Sequence, residues 1–452
     1  MLDYFFIKNF KSLSSDSGKI EIKPLNIFVG PNSSGKSSYL QALLMLKQTI
    51  LSRELLSPLI PNSNLIKLGG YSDLIFKNDI KLPLQIEIGL ISKRHGRENI
   101  YERPVLTAEK KIERQIQSIK EFFPFFNYED NHFVYKIDLR TLSSSEIIVD
   151  NLNIIYDEKK LVSIEYNKEG RGSYFLKSEY MPVNNEARTY FRPGKFYRIP
   201  LSLFSSFNLY RFFHDLELTL EDVFNKLYYI GPLRNYPQRF YILSGESPQD
   251  VGMQGENTIE LLISSEMKKG QNLKSRTDYW MNNFGLAKKL IIERIKGSHY
   301  YVKVIDPTRE TETNISDVGF GISQILPVIV ETLFSPPDSL ILIEQPEIHL
   351  HPKIQADLAD LFISESKKKK FIIETHSEHL VTRIQRRVAE GVINASDVKV
   401  YYFNMGKNGT ILKELIMDDN GYFNEWPKGL FGDELEDHYQ MLFTKLNKKE
   451  TF

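Results

Sequence analysis

Gly30-Pro31-Asn32-Ser33-Ser34-Gly35-Lys36-Ser37 matches the pattern G-x-x-x-x-G-K-[ST]. The apolar run Leu25-Asn26-Ile27-Phe28-Val29 precedes it, and Leu40, Leu43, Leu44 and Ile50 follow at helical spacing. A strand, a tight glycine turn and a helix, in that order, point to an α/β fold built around a phosphate-binding loop. Glycine lets the backbone curl so that successive N–H groups aim at phosphate oxygens. The helix that starts near Ser37 turns its positive end to the same point. Gly30, Asn32, Ser33, Ser34, Gly35, Lys36, Ser37 and Ser38 form the candidate cradle. In it, Lys36 would reach the outer phosphates and the Ser37 hydroxyl would ligate Mg²⁺.

A second strand supplies carboxylates. Leu340-Ile341-Leu342-Ile343 is wholly apolar, as a strand covered on both faces must be, and it ends in Glu344-Gln345-Pro346-Glu347. A carboxylate at such a tip can hold Mg²⁺ beside a phosphate loop, so Glu344 joins Ser37 as an expected metal ligand. The attacking water needs a positioning or basic group. Gln345 can orient it but cannot keep a proton; Glu347 can, if the backbone turns it inward. Phe371-Ile372-Ile373 is a third apolar strand, followed by Glu374-Thr375-His376-Ser377. His349, His351, His376 and His379 raise the question of zinc. However, the chain has no cysteine and no H-E-x-x-H pattern. A hydrogen bond from His376 to the γ-phosphate or to the attacking water is the better reading. Glu344, Gln345, Glu347 and His376 are thus the candidate catalytic residues.

Between these parts the pattern changes. Leu84, Ile86, Ile88 and Leu90 alternate with other residues, as do Phe133, Tyr135, Ile137 and Leu139, then Val162, Ile164 and Tyr166. Period-two alternation predicts antiparallel strands with one exposed face. Helices are expected over Lys110–Lys120 and Leu201–Leu227. Near the end, Val398–Phe403 and Thr410–Ile416 flank an Asn408-Gly409 hairpin turn. The expected division is 1–79 and 228–417 for the two parts of an ATPase head, 80–227 for a β-rich and helical insertion lobe, and 418–452 for a tail. The 452 residues carry 58 Lys+Arg against 58 Asp+Glu, which gives no global drive toward nucleic acid. The absence of cysteine removes disulfides and thiol chemistry. No apolar run approaches the roughly 18–20 residues of a membrane span, and Met1–Lys8 lacks the apolar stretch of a signal peptide. A cytoplasmic protein without a membrane partner is expected.

The phosphate loop, the Leu340–Glu347 strand with its His-Leu-His-Pro continuation, and Thr375-His376-Ser377 resemble the ATP-binding-cassette ATPases. The nearer likeness is to their soluble SMC-like, RecF-like and OLD-like branch of bacterial AAA ATPases, found in DNA repair and in anti-phage systems such as Septu, Gabija and OLD. The resemblance covers about 1–79 and 228–452, and the middle block only loosely. It implies a P-loop NTPase head of ABC type with an antiparallel β lobe and an inserted α+β block, with ATP and Mg²⁺ as cofactors. Ile7-Lys8-Asn9-Phe10-Lys11-Ser12 looks like the opening strand of that branch, which implies that Lys11 contacts phosphate. Ile315–Gln324 looks like its signature segment. That implies that Ser316, Gly319, Gly321 and Ser323 of one copy cap the nucleotide of another, in a homodimer or higher homo-oligomer. Tyr229–Arg234, Gly252, Gly255-Glu256 and a Trp426-Pro427 tail look like hallmarks of a bacterial subfamily.

Gln345 stands where such ATPases carry a glutamate, which implies slow hydrolysis. Gly69-Gly70-Tyr71-Ser72-Asp73 occupies the region of their Q-loop glutamine. No Toprim nuclease follows the hairpin, so an effector nuclease is expected on a separate chain. The leading expectation is the switch or sensor subunit of an anti-phage defence complex that regulates this effector. The alternatives are a RecF-like repair ATPase and a slow ATP-binding scaffold. DNA stays open as a partner. Lys367–Lys370 reads most simply as a solvated loop, and Arg383, Arg386 and Arg387 carry the same weak reading. Arg234 fits either a phosphate contact or a structural ion pair.

Overall fold

The computed structural model describes residues 1–14, 17–91, 119–120, 122–123, 132–142, 146–169, 172–180, 188–189, 193–200, 206–267, 272–425 and 427. Strands Leu227–Ile230, Leu340–Glu344, Lys370–Glu374, Leu25–Val29 and Val398–Gly406 lie side by side in that order, all parallel. Gly409–Leu415 closes this six-stranded sheet as an antiparallel edge. Every residue of the Leu25–Val29 and Leu340–Glu344 strands is buried. One buried polar side chain interrupts the apolar runs. Asn26 meets its needs by donating from Nδ2 to Lys23 O at 2.7 Å and Phe371 O at 2.8 Å, and by accepting from Lys23 N at 3.0 Å.

The period-two rule divides each central strand between two cores. Phe28, Leu342 and Ile372 pack on one face with the helix Lys36–Leu51. Leu25, Ile27, Val29, Ile341, Ile343, Phe371 and Ile373 pack on the other. There they meet helices Thr258–Met267, Phe320–Phe334, Pro352–Ser366 and Glu378–Ala389. Each such side chain contributes about 1.5–3 kcal/mol when fully buried, and a one-residue slip would exchange the two faces, so the register is strongly specified. The loop helix Lys36–Leu51 is buried nearly all round. The small-domain pattern of a helix with one wet face does not apply to it.

The expected alternation lands in an eight-stranded antiparallel sheet. Its order is Lys19–Glu21, Leu2–Lys8, Leu84–Ile91, His132–Thr141, Ile147–Tyr156, Lys159–Tyr166, Tyr174–Lys177 and Arg188–Thr189. The opening strand Leu2–Lys8 belongs to this sheet and pairs with residues 84–91, so the sheet takes strands from both sides of position 80. Tyr71, in the Gly69–Asp73 region, ties that region to the eight-stranded sheet: its hydroxyl has Leu82 O at 3.0 Å and Leu139 O at 2.9 Å and donates to one or the other. The helix expected over Leu201–Leu227 is described over Phe207–Asn225, and 201–205 lie outside the described residues. Of the helix expected at Lys110–Lys120, only 119–120 are described, and of the Trp426-Pro427 tail only Pro427.

A small sheet was not foreseen. Lys289–Lys296 pairs with His299–Ile305, which also pairs with Tyr241–Ile242 and Glu312–Asn314. Its signal was present in the alternation of buried Tyr300, Val302 and Val304 after a Lys296-Gly297-Ser298 turn. Among the described residues, no helix is long and apolar enough to cross a membrane.

Candidate nucleotide site

The parallel register builds the site. Glu344 pairs with Glu374, and Glu374 with Phe28, so Val29-Gly30 and both carboxylates emerge at one edge of the sheet. That edge, outside the carboxyl ends of parallel strands, is where open α/β sheets bind ligands. Two loop glycines are required by close approach. Gly30 has φ 139° and a Cβ there would lie 2.1 Å from Phe403 O; Gly35 has φ 103° and a Cβ there would lie 2.2 Å from Thr410 Oγ1. Thr410 donates to Ser34 O or Ser12 Oγ, both at 2.9 Å, so the final hairpin props the loop from behind. Sequence reasoning missed Thr410, because nothing local marks a residue that is placed by contact with position 34.

Lys36 is buried and donates to Gly30 O at 2.9 Å and Pro31 O at 2.8 Å. Burial lowers its pKa, opposed by Glu374, Glu344 and Glu347. The Ser37 hydroxyl lies 3.0 and 3.2 Å from the two carboxylate oxygens of Glu374, and Lys36 Nζ is 3.9 Å from the same group. The carboxylate that meets Ser37 is thus Glu374, on the strand directly beside the loop strand, a residue not among the candidates of the sequence reading. Burial, then the Glu344 charge, pushes the Glu374 carboxyl up to about 7. Glu344 accepts from the Tyr229 hydroxyl at 2.8 Å, and burial raises its pKa too. Glu347 turns inward: its Oε1 accepts from His376 N at 2.7 Å, while its buried Oε2 has no hydrogen-bond partner among the described residues. His376 is exposed, and partial desolvation of its ring and then the Lys36 charge lower its pKa. Gln345 adopts φ 46°, the bend that ends the strand.

Arg234 bonds the backbone of the carboxylate strand. It is buried, and Nη2 donates to Glu344 O at 2.8 Å, with longer 3.4 Å contacts to Gln345 O. Burial lowers its pKa to about 10, and Glu347 is the carboxylate that most opposes this. Its own carbonyl accepts from Gln324 Nε2 at 3.3 Å, on the helix Phe320–Phe334. One residue therefore links the carboxylate strand to the signature-like helix.

The remaining candidates fall into separate groups. Asn32 and Ser33 are exposed on the loop, Ser33 with φ 59°, and Ser38 N bonds Gly35 O at 3.1 Å. Lys11 Nζ bonds Gln41 Oε1 on the loop helix at 2.6 Å. Ser316 bonds Asn314 Oδ1, Gly319 is an exposed helix cap, and Gly321 packs near His349 O. Ser323 is buried and bonds back to Phe320 O at 2.7 Å. The four histidines do not converge: among the described residues, no group of three or more His, Cys, Asp or Glu is arranged to hold a metal. The hard oxygens of Ser37, Glu344 and Glu374 nonetheless suit magnesium, which takes only one or two protein groups when phosphates and water complete its shell. Ser34 Oγ, 1% exposed and without a partner among the described residues, is a further donor in the cradle. The lysine loop is divided: Lys367 and Lys368 are exposed, as the solvated reading expects, while the next two turn inward. Lys369 donates to Thr332 O, and Lys370 to Leu2 O and Ile22 O. Arg383 and Arg387 pair with Asp360, and Arg386 with Glu390.

Comparison with known families places this site. Residues 1–225 match a family described as AAA ATPase domain, and residues 188–382 match one described as AAA domain, putative AbiEii toxin, Type IV TA system. Both models describe AAA-type ATPase domains, and together they span residues 1–382. That fold implies a nucleotide, usually with magnesium. Residues 393–440 match a family described as a protein of unknown function. No curated protein matches the chain. Similar solved structures include an SMC head bound to the C-terminal winged-helix domain of ScpA, with 12% identity, TM-score 0.43, and coverage of 92% of this chain and 97% of that one. The SMC head domain from Thermotoga maritima aligns at 10% identity and TM-score 0.39, covering 91% and 98%. An SMC head with an extended coiled coil, bound to the C-terminal domain of ScpA derived from Pyrococcus furiosus, aligns at 11% and 0.41, covering 98% of each chain.

Proposed function

We propose that the chain binds ATP with magnesium at the Gly30–Ser37 loop and hydrolyses it slowly, in a dimer closed around the nucleotide. The observation that carries this reading is the buried junction of Lys36, Ser37 and Glu374, with Glu344 in register beside it. Ser37, Glu344 and Glu374 would hold the metal, which when bound would offset charge on the outer phosphates. Glu347 is the candidate base: His376 N fixes one of its oxygens and leaves the other buried and unpartnered among the described residues. Gln345, next to Glu344, has a carboxamide that orients water but takes no proton, which supports slow turnover.

In the dimer, Ser316–Ser323 of one copy would face the triphosphate held by Lys36 of the other. The reading extends to a cytoplasmic switch or sensor subunit of an anti-phage defence complex, acting on a separate effector such as a nuclease. The match to the AbiEii-type family model and the sequence resemblance support it. A DNA-loading repair ATPase is less favoured, because Lys369, Lys370, Arg383 and Arg387, four of the basic residues singled out for DNA, are engaged within the chain.

The test is Lys36→Ala, measured by ATP binding and by the nucleotide-dependent shift from monomer to dimer in sedimentation. Both are lost if the reading holds; wild-type closure in the mutant overturns it. Replacing Glu347 with Gln should stop hydrolysis while ATP binding survives. Unchanged hydrolysis there, with loss in Gln345→Ala, would reassign the base.

A further inference from the structure

Two groups that a magnesium triphosphate needs, the Lys36 ammonium and the Ser37 hydroxyl, already share one carboxylate. That carboxylate is Glu374, 3.9 Å from Lys36 Nζ and 3.0 Å from Ser37 Oγ. It stands in register with Glu344, and Glu347 is near enough to act on the same lysine. Arg234, the other buried cation here, directs its donors to the backbone carbonyls of Glu344 and Gln345 rather than to these carboxylates. The Arg234 charge acts on Glu344 and Glu347 all the same, while Lys36 is the cation that acts on Glu374. Within the loop, Ser34 Oγ is buried without a partner among the described residues, which marks the same place as built for a ligand.

We propose that Glu374 makes nucleotide binding at this loop conditional on a divalent cation. The inference rests on the reading of the loop as a magnesium-nucleotide site. A metal-free triphosphate brings like charge against Glu374, Glu344 and Glu347, and competes with Glu374 for Lys36. A triphosphate that arrives with its cation gives Glu374 a positive partner and leaves Lys36 and Ser37 to turn to phosphate and metal. Glu374 is thus a specificity-determining residue. It discriminates the metal-bound form of the nucleotide from the bare anion, a role that a mere strand-end contact would not perform.

The experiment measures ATP affinity calorimetrically in the full chain, once with Mg²⁺ and once with EDTA, for the wild type, Glu374→Gln and Glu374→Asp. Circular dichroism checks that each is folded, and the aspartate variant, which keeps the charge on a shorter stem, serves if the glutamine variant does not fold. The expected result is that the wild-type ratio of the two affinities falls by about tenfold in Glu374→Gln, chiefly because ATP in EDTA binds more tightly. Glu374→Asp should retain the wild-type preference for the metal-bound form. A ratio in Glu374→Gln equal to that of the wild type overturns the proposal and leaves the nucleotide site standing. A wild-type chain that binds ATP under neither condition overturns the nucleotide reading itself, and this inference with it.

Discussion

The phosphate loop and the signature-like segment differ in what they ask of their own chain. At the loop, strand ends, hairpin and helix converge, and Lys36, Ser37, Glu344, Glu347 and Glu374 are buried or half-buried against one another. At the segment, Ser316 bonds its own cap residue, Asp317 pairs with Arg239, and Gly319 faces solvent with no atom within 4 Å of where its Cβ would stand. The first is a site assembled by one chain. The second is an exposed helix start that packs by ring contact, Phe320 to His349 at 4.8 Å, against the loop after the carboxylate strand. The lesson is that damage to the loop should register in the monomer, and damage to the segment only in association.

The sharpest way to break that contrast is Gly319→Asp. It puts a carboxylate where the dimer reading places a partner's phosphate, so nucleotide-driven association should disappear in sedimentation. The monomer's thermal midpoint should stay put, because an exposed change with open space around it moves stability by only about 0.5 kcal/mol or less. Gly35→Ala should do the reverse. Its methyl meets Thr410 Oγ1 in a left-handed backbone, so the chain should lose about 1–3 kcal/mol by denaturant melting and bind ATP poorly. A Gly35→Ala protein as stable as wild type would remove the claim that the hairpin props the loop.

A third test lies on the signature-like helix. Glu331 is buried, accepts from Val251 N at 2.8 Å, and has its pKa pushed up to about 7 by burial. A carboxyl whose folded pKa lies above its unfolded value binds more protons in the native state. Its contribution to stability is greatest at acid pH and declines as pH rises from about 4.5 to about 7. Glu331→Gln should therefore flatten the pH dependence of stability over that window, by about 2–3 kcal/mol between its ends. Smallest is Tyr229→Phe, which removes one hydrogen bond to Glu344. It should cost about 0.5–1.5 kcal/mol of stability and shift the metal dependence of ATP binding only slightly.

What could be read in advance follows the range of the interactions. The loop, the three apolar strands and the alternating lobe strands are local patterns, and each was visible in a window of ten residues or so. Glu374 was not, because it reads as the prelude to Thr375-His376-Ser377 until parallel pairing sets it beside Glu344 and under Ser37. Thr410 was hidden for the same reason, since it acts on Ser34 across 376 positions. The opening strand pairs with both Lys19–Glu21 and Leu84–Ile91, and no local periodicity records such pairings. Lys369 and Lys370 looked like a solvated run because composition reports charge but not the carbonyls that receive it.

The loop helix also has a far end. Lys195 reaches across from the segment before the helix Phe207–Asn225, in a left-handed conformation, and caps Ile50 O at 2.5 Å and Ser52 O at 3.0 Å. The helix whose first turn carries Lys36 and Ser37 is thus clamped at its last by Lys195. Any axial slide or rotation that a ligand imposes on it must either break that clamp or drag the clamp's anchorage along. A lever of about 24 Å, the length of sixteen helical residues, runs from chemistry to periphery.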